Sequence, residues 1–260
     1  MAKKEKRERD VFKFILPRGV FVYPKLHKPD TRWKPEGQYE VKSVIDPKGT
    51  FLINNGKDKA TLEEIYEALE GLLERKLKAE KARLSAIAKG NDAKKAKKAK
   101  ATLEALKKRD VQFKAHEDDD GNETDKLEVK ATMRASGERD DGTKWERKPN
   151  VFDAAGNPLK KVPVVFGGSE GKVAVEAEGY YAPPKQDEPA VVGVTLRLDG
   201  VQIIKLVKGG ERSASSYGFG REEGYEDEGG SDADDTSDED DDDDKSDDSA
   251  GGAGDDDDDF

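Results

Sequence analysis

The sequence predicts a mainly β protein: a five-stranded OB-fold barrel with an α-helical insertion and a disordered acidic C-terminal tail. Short segments of alternating apolar and polar residues recur between turn residues, which is typical of strands in a small barrel. One early stretch instead has apolar residues at helical spacing. The final 50 residues are mostly Gly, Ser, Asp and Glu, so few apolar groups remain there to offset the entropy of ordering.

These patterns divide the chain into three parts. Residues 1–10 form a charged N-terminal arm, residues 11–210 the OB-fold domain, and residues 211–260 the tail. The arm lacks the apolar core of a signal peptide, and no apolar run approaches the ~18 residues that a membrane span needs. We therefore expect a cytoplasmic protein without a membrane partner.

The composition excludes several kinds of site. The chain has no cysteine and only 2 histidines. Disulfides, thiolate zinc sites and iron–sulfur clusters are thereby excluded, and multi-histidine metal sites are disfavoured. We expect neither a metal nor a cofactor.

The first strands are indicated by dense, β-prone apolar residues. Residues 11–23 have the composition of a strand with a kink or bulge at residues 17–19, Pro-Arg-Gly. Three prolines between residues 24 and 35 predict that a loop follows. Alternation from Tyr39 to Ile45 predicts a second, half-buried strand.

The helical insertion is predicted at about residues 61–109. Thr61 and Glu64 form the pattern of a capping box, in which each side chain accepts a backbone N–H at the helix start. An apolar stripe follows at helical spacing over residues 62–77. Gly-Asn-Asp at residues 90–92 predicts a break, after which a Lys-rich, mostly solvated helix restarts over residues 93–108.

Strand patterns return after the insertion. Alternation predicts strands over residues 127–134 and 173–181, and an apolar run predicts a short strand over residues 162–166. Residues 140–142, Asp-Asp-Gly, are typical of a hairpin turn. Residues 191–207 predict one long strand, or two that meet near Asp199-Gly200.

Two segments resemble catalytic or metal motifs but lack the required context. Residues 167–171 match G-x-S-x-G, yet a strand pattern follows where the nucleophile elbow needs a helix, and both histidines precede Ser169. The aspartates at residues 118–120 lack the spacing of a calcium-binding loop and fit a solvated hairpin tip. We therefore predict no catalytic residue and a protein that is not an enzyme.

The remaining chemistry is cationic and aromatic. Binding single-stranded nucleic acid without sequence preference needs cations along the phosphates and flat rings that stack on bases. The candidate residues for such binding are Arg18, Arg32, Trp33, Lys34, Lys130, Arg134, Trp145, Lys172, Tyr180 and Tyr181. Packing in the core is the alternative for every aromatic residue, and it is the favoured one for Tyr23 and Tyr39.

The charge distribution sharpens this prediction. Residues 211–260 contain 23 acidic and three basic residues, a net charge of −20, whereas residues 1–210 contain 35 acidic and 44 basic residues, a net charge of +9. A tethered polyanion has a high effective concentration at a basic groove on the same chain, so the tail should compete with nucleic acid. The chain ends in Phe260 after five aspartates, an aromatic group that a purely solubilising tail does not need.

The sequence resembles the helix-destabilising, single-stranded DNA-binding proteins of podovirus-type tailed phages. The resemblance is loose and covers most of the domain: residues 17–20, the helix after the second strand, residues 162–169, residues 180–183 and, most specifically, the aspartate-rich end at Phe260. It implies an OB fold that coats single-stranded DNA in replication, recombination, repair and annealing. By position, Lys130 is similar to the basic strand residue of the family, and Tyr180 or Tyr181 to its stacking aromatic.

The resemblance also implies partners. The terminal segment, Asp255, Asp256, Asp257, Asp258, Asp259 and Phe260, would contact the phage DNA polymerase and the primase–helicase, the protein would form homodimers, and it would act in the host bacterial cytoplasm. The long Lys-rich second helix departs from the family pattern. Two other interpretations stay open: an acidic-tailed chaperone or scaffold for basic proteins, and an RNA-binding OB module.

Overall fold

The computed structural model describes residues 9–208 except residues 33, 112, 119, 140, 186 and 187. The tail, the terminal Phe260 and most of the N-terminal arm therefore lie outside the described residues. Within the described part, thirteen strands and two helices follow in the order β1 Val11–Ile15, β2 Gly19–Asp30, β3 Gln38–Ile45, β4 Phe51–Ile53, β5 Asp58–Ala60, α1 Leu62–Ala88, α2 Ala93–Glu104, β6 Lys107–Lys108, β7 Lys114–Glu117, β8 Glu123–Arg134, β9 Ser136–Glu138, β10 Lys144–Glu146, β11 Asn150–Phe152, β12 Glu170–Ala182 and β13 Val191–Lys205. The prediction of a mainly β fold with a helical insertion is confirmed.

Five of the strands close into a ring of pairings. The order around the ring is β2, β3, β8, β13, β12 and back to β2. The contacts of β8 with β13 are parallel, and the other four pairings are antiparallel. The longest ladder joins β12 to β13, with a register shift between Ala174 and Val175. Two of these contacts are short, because β12 meets β2 over two residue pairs and β8 meets β13 at one.

The other described strands extend this sheet or stand beside it. Strands β1, β4 and β5 continue outward from β12, β11 pairs with β13, and β6 and β7 pair with β13 and β8. Strands β9 and β10 form a separate two-stranded hairpin. This hairpin lies between β8 and β11 in the sequence, next to the end of β8 at Arg134.

The core lies inside the ring and is closed on one side by α1. Alternate residues of the ring strands, such as Val41, Val129 and Val175, are buried. Ile65 and Leu69 of α1 join the same cluster and are both 0% exposed. Such fully buried aliphatic side chains each stabilise the fold by about 1.5–3 kcal/mol relative to exposure.

The local signals for α1 work as the sequence predicts. The Glu64 backbone N–H donates to the Thr61 hydroxyl at 3.3 Å, and the Thr61 backbone N–H donates to the Glu64 carboxylate at 2.7 Å. Asp92 caps α2 by accepting the Lys95 backbone N–H at 3.0 Å. The predicted break at residues 90–92 is therefore confirmed, although α2 ends at Glu104 rather than at residue 108.

Two loop and strand predictions are wrong. The segment from Pro24 to Asp30 is not a loop, because β2 runs through it to Asp30. Its pairing with β3 is irregular on both sides of Lys25, and prolines are tolerated at such bulges because no ladder hydrogen bond is lost. Residues 162–166 are not a strand, and the β4–β5 hairpin was not foreseen.

The G-x-S-x-G segment is a turn, as predicted. Ser169 is 0% exposed, and its hydroxyl accepts the Val207 backbone N–H at 3.0 Å. Strand β12 begins immediately afterwards at Glu170, where a nucleophile elbow would need a helix. No described helix is long and apolar enough to cross a membrane.

Candidate nucleic-acid interface

A groove with lining residues on all five ring strands reaches the loop between β2 and β3. It consists of two adjoining depressions, with volumes of about 490 and 240 Å³, that share Lys34 and Gln38 as lining residues. The residues that line one or both are Arg9, Val22, Tyr23, Lys25, Asp30, Arg32, Lys34, Gln38, Glu40, Lys42, Thr132, Met133, Arg134, Trp145, Arg147, Glu176, Thr195, Arg197, Leu198 and Asp199. We call this surface the groove.

Strand alternation explains why polar side chains floor the groove. On β3, Tyr39 and Val41 point into the core, so Gln38, Glu40 and Lys42 point outward. The pairing register then places outward residues of β8 beside them, with Gln38 opposite Arg134 and Lys42 opposite Lys130. Because one face of each strand packs in the core, the side chains of the other face are the ones that a ligand can contact.

The groove combines paired and unpaired charge. Its lining includes eight basic and four acidic side chains. Each acid has a cationic partner: Asp30 with Arg32 at 2.7 Å, Glu40 with Lys130 at 2.6 Å, Glu176 with Arg9 at 3.1 Å and Asp199 with Lys13 at 2.9 Å. Among the described residues, Lys25, Lys34, Arg134 and Arg147 have no ion-pair partner. The groove therefore retains positive charge for an anionic ligand.

Lys42 and Lys130 place two like charges directly across the β3–β8 ladder. Such pairs are destabilising, and each lysine has an acid nearby: Glu128 lies 3.7 Å from Lys42, and Glu40 lies 2.6 Å from Lys130. This arrangement keeps Lys130, which is 48% exposed at its side chain, beside the groove although it does not line it.

Trp145 presents an indole at one end of the groove. It stands opposite Gly137 in the β9–β10 hairpin, where a Cβ on Gly137 would lie 2.5 Å from the indole Cζ2. Only glycine lets the indole lie on the backbone there. The Arg147 guanidinium lies 4.7 Å from the indole centre, a distance typical of a cation–π contact. An aromatic ring and an unpaired cation thus stand together at the groove.

Tyr23 presents a second aromatic ring, contrary to the expectation that it packs in the core. It is 81% exposed, whereas Tyr39, expected in the core, is 3% exposed. The φ of Tyr23 is 45°, in the left-handed region that bulky residues avoid at a cost of about 1–2 kcal/mol. The register of β2 shifts between Val22 and Lys25. Bulges commonly re-aim a side chain beside a functional site, and this one directs Tyr23 outward into the groove.

Arg32 is engaged by a neighbour within the groove. Its guanidinium and its backbone N–H donate to the Asp30 carboxylate, which lowers the pKa of Asp30 to about 2. A lowered pKa means that the carboxylate stays ionised, and the pair intact, until the pH falls through that value. The negative charge of Asp30 therefore offsets the positive charge of Arg32 at neutral pH.

Replacing Asp30 with asparagine should release Arg32. We expect the variant to bind oligothymidylate more tightly, with a salt dependence steeper by about 0.7 in log affinity per log salt if Arg32 then contacts one phosphate. Asp118→Asn is the matched control, because Asp118 also accepts backbone N–H groups in an exposed turn but lies outside the groove. Equal affinities of the two variants, measured by fluorescence anisotropy, would contradict this role of Asp30.

The structure brings together about half of the predicted site. Arg32, Lys34, Arg134 and Trp145 line the groove, and Lys130 lies next to it. Trp33 lies outside the described residues. The remaining candidates, Arg18, Lys172, Tyr180 and Tyr181, do not line the groove.

Arg18 and Lys172 lie in another region, where β2 and β12 begin. The Arg18 guanidinium binds Glu170 at 2.7 Å and lowers the pKa of that carboxyl. Lys172 stands opposite Gln202 on β13. Neither residue lines the groove, so their contact with a ligand stays a prediction.

The two tyrosines of β12 point to opposite faces of the strand. Tyr180 lies on the same face as Glu176, which lines the groove, and its ring covers Gly193, where a Cβ would lie 2.7 Å away. Tyr181 points to the other face, where the Arg83 guanidinium of α1 lies 5.1 Å from its ring centre. Of the two, Tyr180 is the better placed for a ligand that extends along the groove.

Five groove cations and one aromatic were not among the candidate residues: Arg9, Lys25, Lys42, Arg147, Arg197 and Tyr23. The alternation of β3 gave a usable signal for Lys42, because it shares the outward face with Gln38 and Glu40. Arg147 follows Trp145 by two residues, so its position in the sequence also indicated that it could lie beside that ring. Arg197 joins the groove only because β13 pairs with β8, which no local pattern reveals.

Comparisons with known proteins return structural neighbours only. No protein-family model matches the sequence, and no curated protein is significantly similar to it. Among solved structures, gp2.5, a single-stranded DNA-binding protein encoded by bacteriophage T7, shares 20% identity with a TM-score of 0.47, over 80% of this chain and 96% of that one. The C-terminally truncated single-stranded DNA-binding protein of bacteriophage Enc34 shares 12% identity with a TM-score of 0.37, over 80% of this chain and 98% of that one.

The Enc34 protein in complex with single-stranded DNA shares 12% identity with a TM-score of 0.35, over 80% of this chain and 98% of that one. These neighbours are single-stranded DNA-binding proteins of phages, the class that the sequence resembles.

Proposed function

We propose that this chain is a single-stranded DNA-binding protein whose binding site is the groove. The observation that supports the proposal is the combination of unpaired cations with two outward aromatic rings on one continuous surface. Cations that follow phosphates and rings that stack on bases are the two requirements for binding single strands without sequence preference. Tyr23 and Trp145 would supply stacking, and Lys25, Lys34, Arg134 and Arg147 would contact phosphates.

We further propose that the five-strand ring is an OB barrel. OB folds are five-stranded, partly open barrels that bind oligonucleotides on the second and third strands and on the loops after the first and fourth. In chain order the ring strands are β2, β3, β8, β12 and β13. The groove includes residues of β3 and β8, the second and third strands, together with residues of β2, β12 and β13, and Arg32 and Lys34 lie in the loop after β2. The position of the groove therefore supports the same assignment as the chemistry.

The proposed role is to coat and protect single strands during phage DNA replication, recombination and annealing. Titrating oligothymidylate binding against salt tests it: log affinity should fall with log salt by about 0.7 per neutralised phosphate. A flat salt response, or no binding by residues 1–210, would overturn the proposal and favour an acidic-tailed chaperone or scaffold. Competition between matched DNA and RNA oligonucleotides separates a DNA-binding protein from an RNA-binding OB module.

The tail is proposed to have two roles: competing with DNA for the groove, and recruiting replication proteins. Its net charge of −20 supports the first, and the terminal Phe260 after five aspartates supports the second. The proposed recruited partners are the phage DNA polymerase and the primase–helicase. A homodimer remains a prediction, which analytical ultracentrifugation tests.

Phe260→Ala should separate these two roles of the tail. We expect the variant to bind oligothymidylate as the unchanged chain does, because no charge is altered. It should bind the polymerase or the primase–helicase more weakly, because binding hot spots are typically buried aromatics. Phe219→Ala is the control, since it removes a tail phenylalanine that is distant from the chain end. If the two variants bind the partner equally well in surface plasmon resonance, Phe260 has no docking role.

A further inference from the structure

The positive charge of residues 1–210 is concentrated in one helical hairpin. Residues 75–101, which span the second part of α1, the break and most of α2, contain eleven basic and two acidic residues, a net charge of +9. The rest of residues 1–210 contains 33 basic and 33 acidic residues and is neutral. We call residues 75–101 the basic hairpin. The net charge of the basic hairpin equals that of residues 1–210 as a whole, and none of its residues lines the groove.

The basic hairpin packs through a few apolar residues and leaves most of its lysines in solvent. Leu84 on α1 and Ala99 on α2 are each 4% exposed. The acidic side chains of the hairpin are occupied: Glu80 binds Lys76 and Arg83, and Asp92 binds Lys95. In the described part of the chain, seven exposed lysines of the hairpin have no ion-pair partner: Lys78, Lys81, Lys89, Lys94, Lys97, Lys98 and Lys100.

The lysines of α2 are closely spaced. Lys94, Lys97, Lys98 and Lys100 extend over about 9 Å of helix at 1.5 Å per residue. These charges lie within one Debye length of each other, about 10 Å at 0.1 M salt, so salt screens their mutual repulsion only in part. A dense line of phosphates would relieve that repulsion.

The hairpin lacks the second component of a single-strand site. Residues 75–101 contain no Phe, Tyr or Trp. Arg83 of the hairpin lies 5.1 Å from the ring centre of Tyr181, which belongs to β12 and not to the hairpin. Without rings that stack on bases, only the phosphate contacts remain. Double-stranded DNA has one charge per ~1.7 Å of axis, about twice the density of one strand, and so it is the ligand that a purely cationic surface favours.

The hairpin and the groove are distinct surfaces. Gly179 and Tyr181 of β12 face α1, where a Cβ on Gly179 would lie 2.7 Å from the Lys76 Cβ. Glu176 of the same strand lines the groove, and residues of opposite parity point to opposite faces. We propose that the basic hairpin is a second nucleic-acid site, which binds the backbone of double-stranded DNA independently of the groove.

The test uses the full chain with Lys94, Lys97, Lys98 and Lys100 replaced by glutamine, which has a similar helix propensity. Binding to a blunt duplex of mixed sequence and to oligothymidylate is measured by fluorescence anisotropy over a range of salt. We expect duplex binding to weaken and its salt dependence to become shallower by about 0.9 for each lysine that contacts a phosphate. Oligothymidylate affinity should change by less than about twofold, because the groove is intact.

A charge-matched control replaces four exposed lysines outside both surfaces: Lys48, Lys57, Lys59 and Lys160. This variant should bind the duplex as the unchanged chain does. Circular dichroism verifies that α2 remains helical in the hairpin variant. The proposal is overturned by unchanged duplex binding of the hairpin variant, by an equal loss in the control, or by a parallel loss of oligothymidylate binding.

Discussion

Trp145→Ala is expected to weaken oligothymidylate binding by about 5- to 150-fold, the range that corresponds to the 1–3 kcal/mol measured per stacked base. Among the described residues the indole is the largest ring at the groove, and it lies on Gly137 with Arg147 beside it. Trp145 is half-buried, and a base that stacks on the exposed part of its ring would displace water there. Trp145→Phe should retain most of the affinity because it keeps a ring.

The loss should arise from the groove and not from unfolding. Trp145 belongs to the separate β9–β10 hairpin, outside the core cluster, so the melting temperature should change little. Arg134→Gln should make the slope of log affinity against log salt shallower by about 0.7. Arg139→Gln, five residues later in the chain but outside the groove, should leave that slope unchanged. If Trp145→Ala binds oligothymidylate as tightly as the unchanged chain, the groove is not the binding site for single strands.

Removal of residues 211–260 is expected to have the second large effect. The truncated chain changes from a net charge of −11 to +9, and it loses a competitor tethered at millimolar effective concentration. We expect oligothymidylate binding at low salt to become tighter by about tenfold, and the gain to shrink as salt screens the tail. Every residue of the core cluster lies within residues 1–210.

A graded control distinguishes charge from other properties of the tail. Replacing the five aspartates at residues 255–259 with asparagine reduces the tail charge from −20 to −15, so the gain in affinity should be intermediate. Unchanged or weaker binding by the truncated chain at low salt would show that the tail and DNA do not share a site.

Local signals were sufficient for much of the fold. The capping box at Thr61 located the start of α1, because cap hydrogen bonds depend on residues three apart. Alternation located β3, β8 and β12, since one face of each is buried in a single core. The strand predicted over residues 162–166 is absent, because a short apolar run forms a strand only if another strand pairs with it. Val164 in this run is 50% exposed.

The site was harder to predict than the fold because it depends on pairing. Lys42 and Lys172 both alternate with apolar residues, yet only Lys42 lines the groove, since β3 pairs with β8 at that point. Tyr23 and Tyr39 both lie among β-prone residues, and a single bulge sends one outward while the other is buried. Register and bulges are properties of strand pairs, and a single segment does not encode them.

The charge of the basic hairpin affects how the whole chain behaves in solution. Residues 75–101 carry a net charge of +9, residues 211–260 carry −20, and the rest of the chain is neutral in sum, so the protein is a block polyampholyte. It should adsorb to both anion- and cation-exchange resins despite a sequence pI of about 5.0. When the salt concentration falls below 0.1 M, the Debye length rises above ~10 Å, and oppositely charged blocks of different copies attract one another. Concentrated solutions of the protein should therefore remain clear only when the ionic strength is kept up.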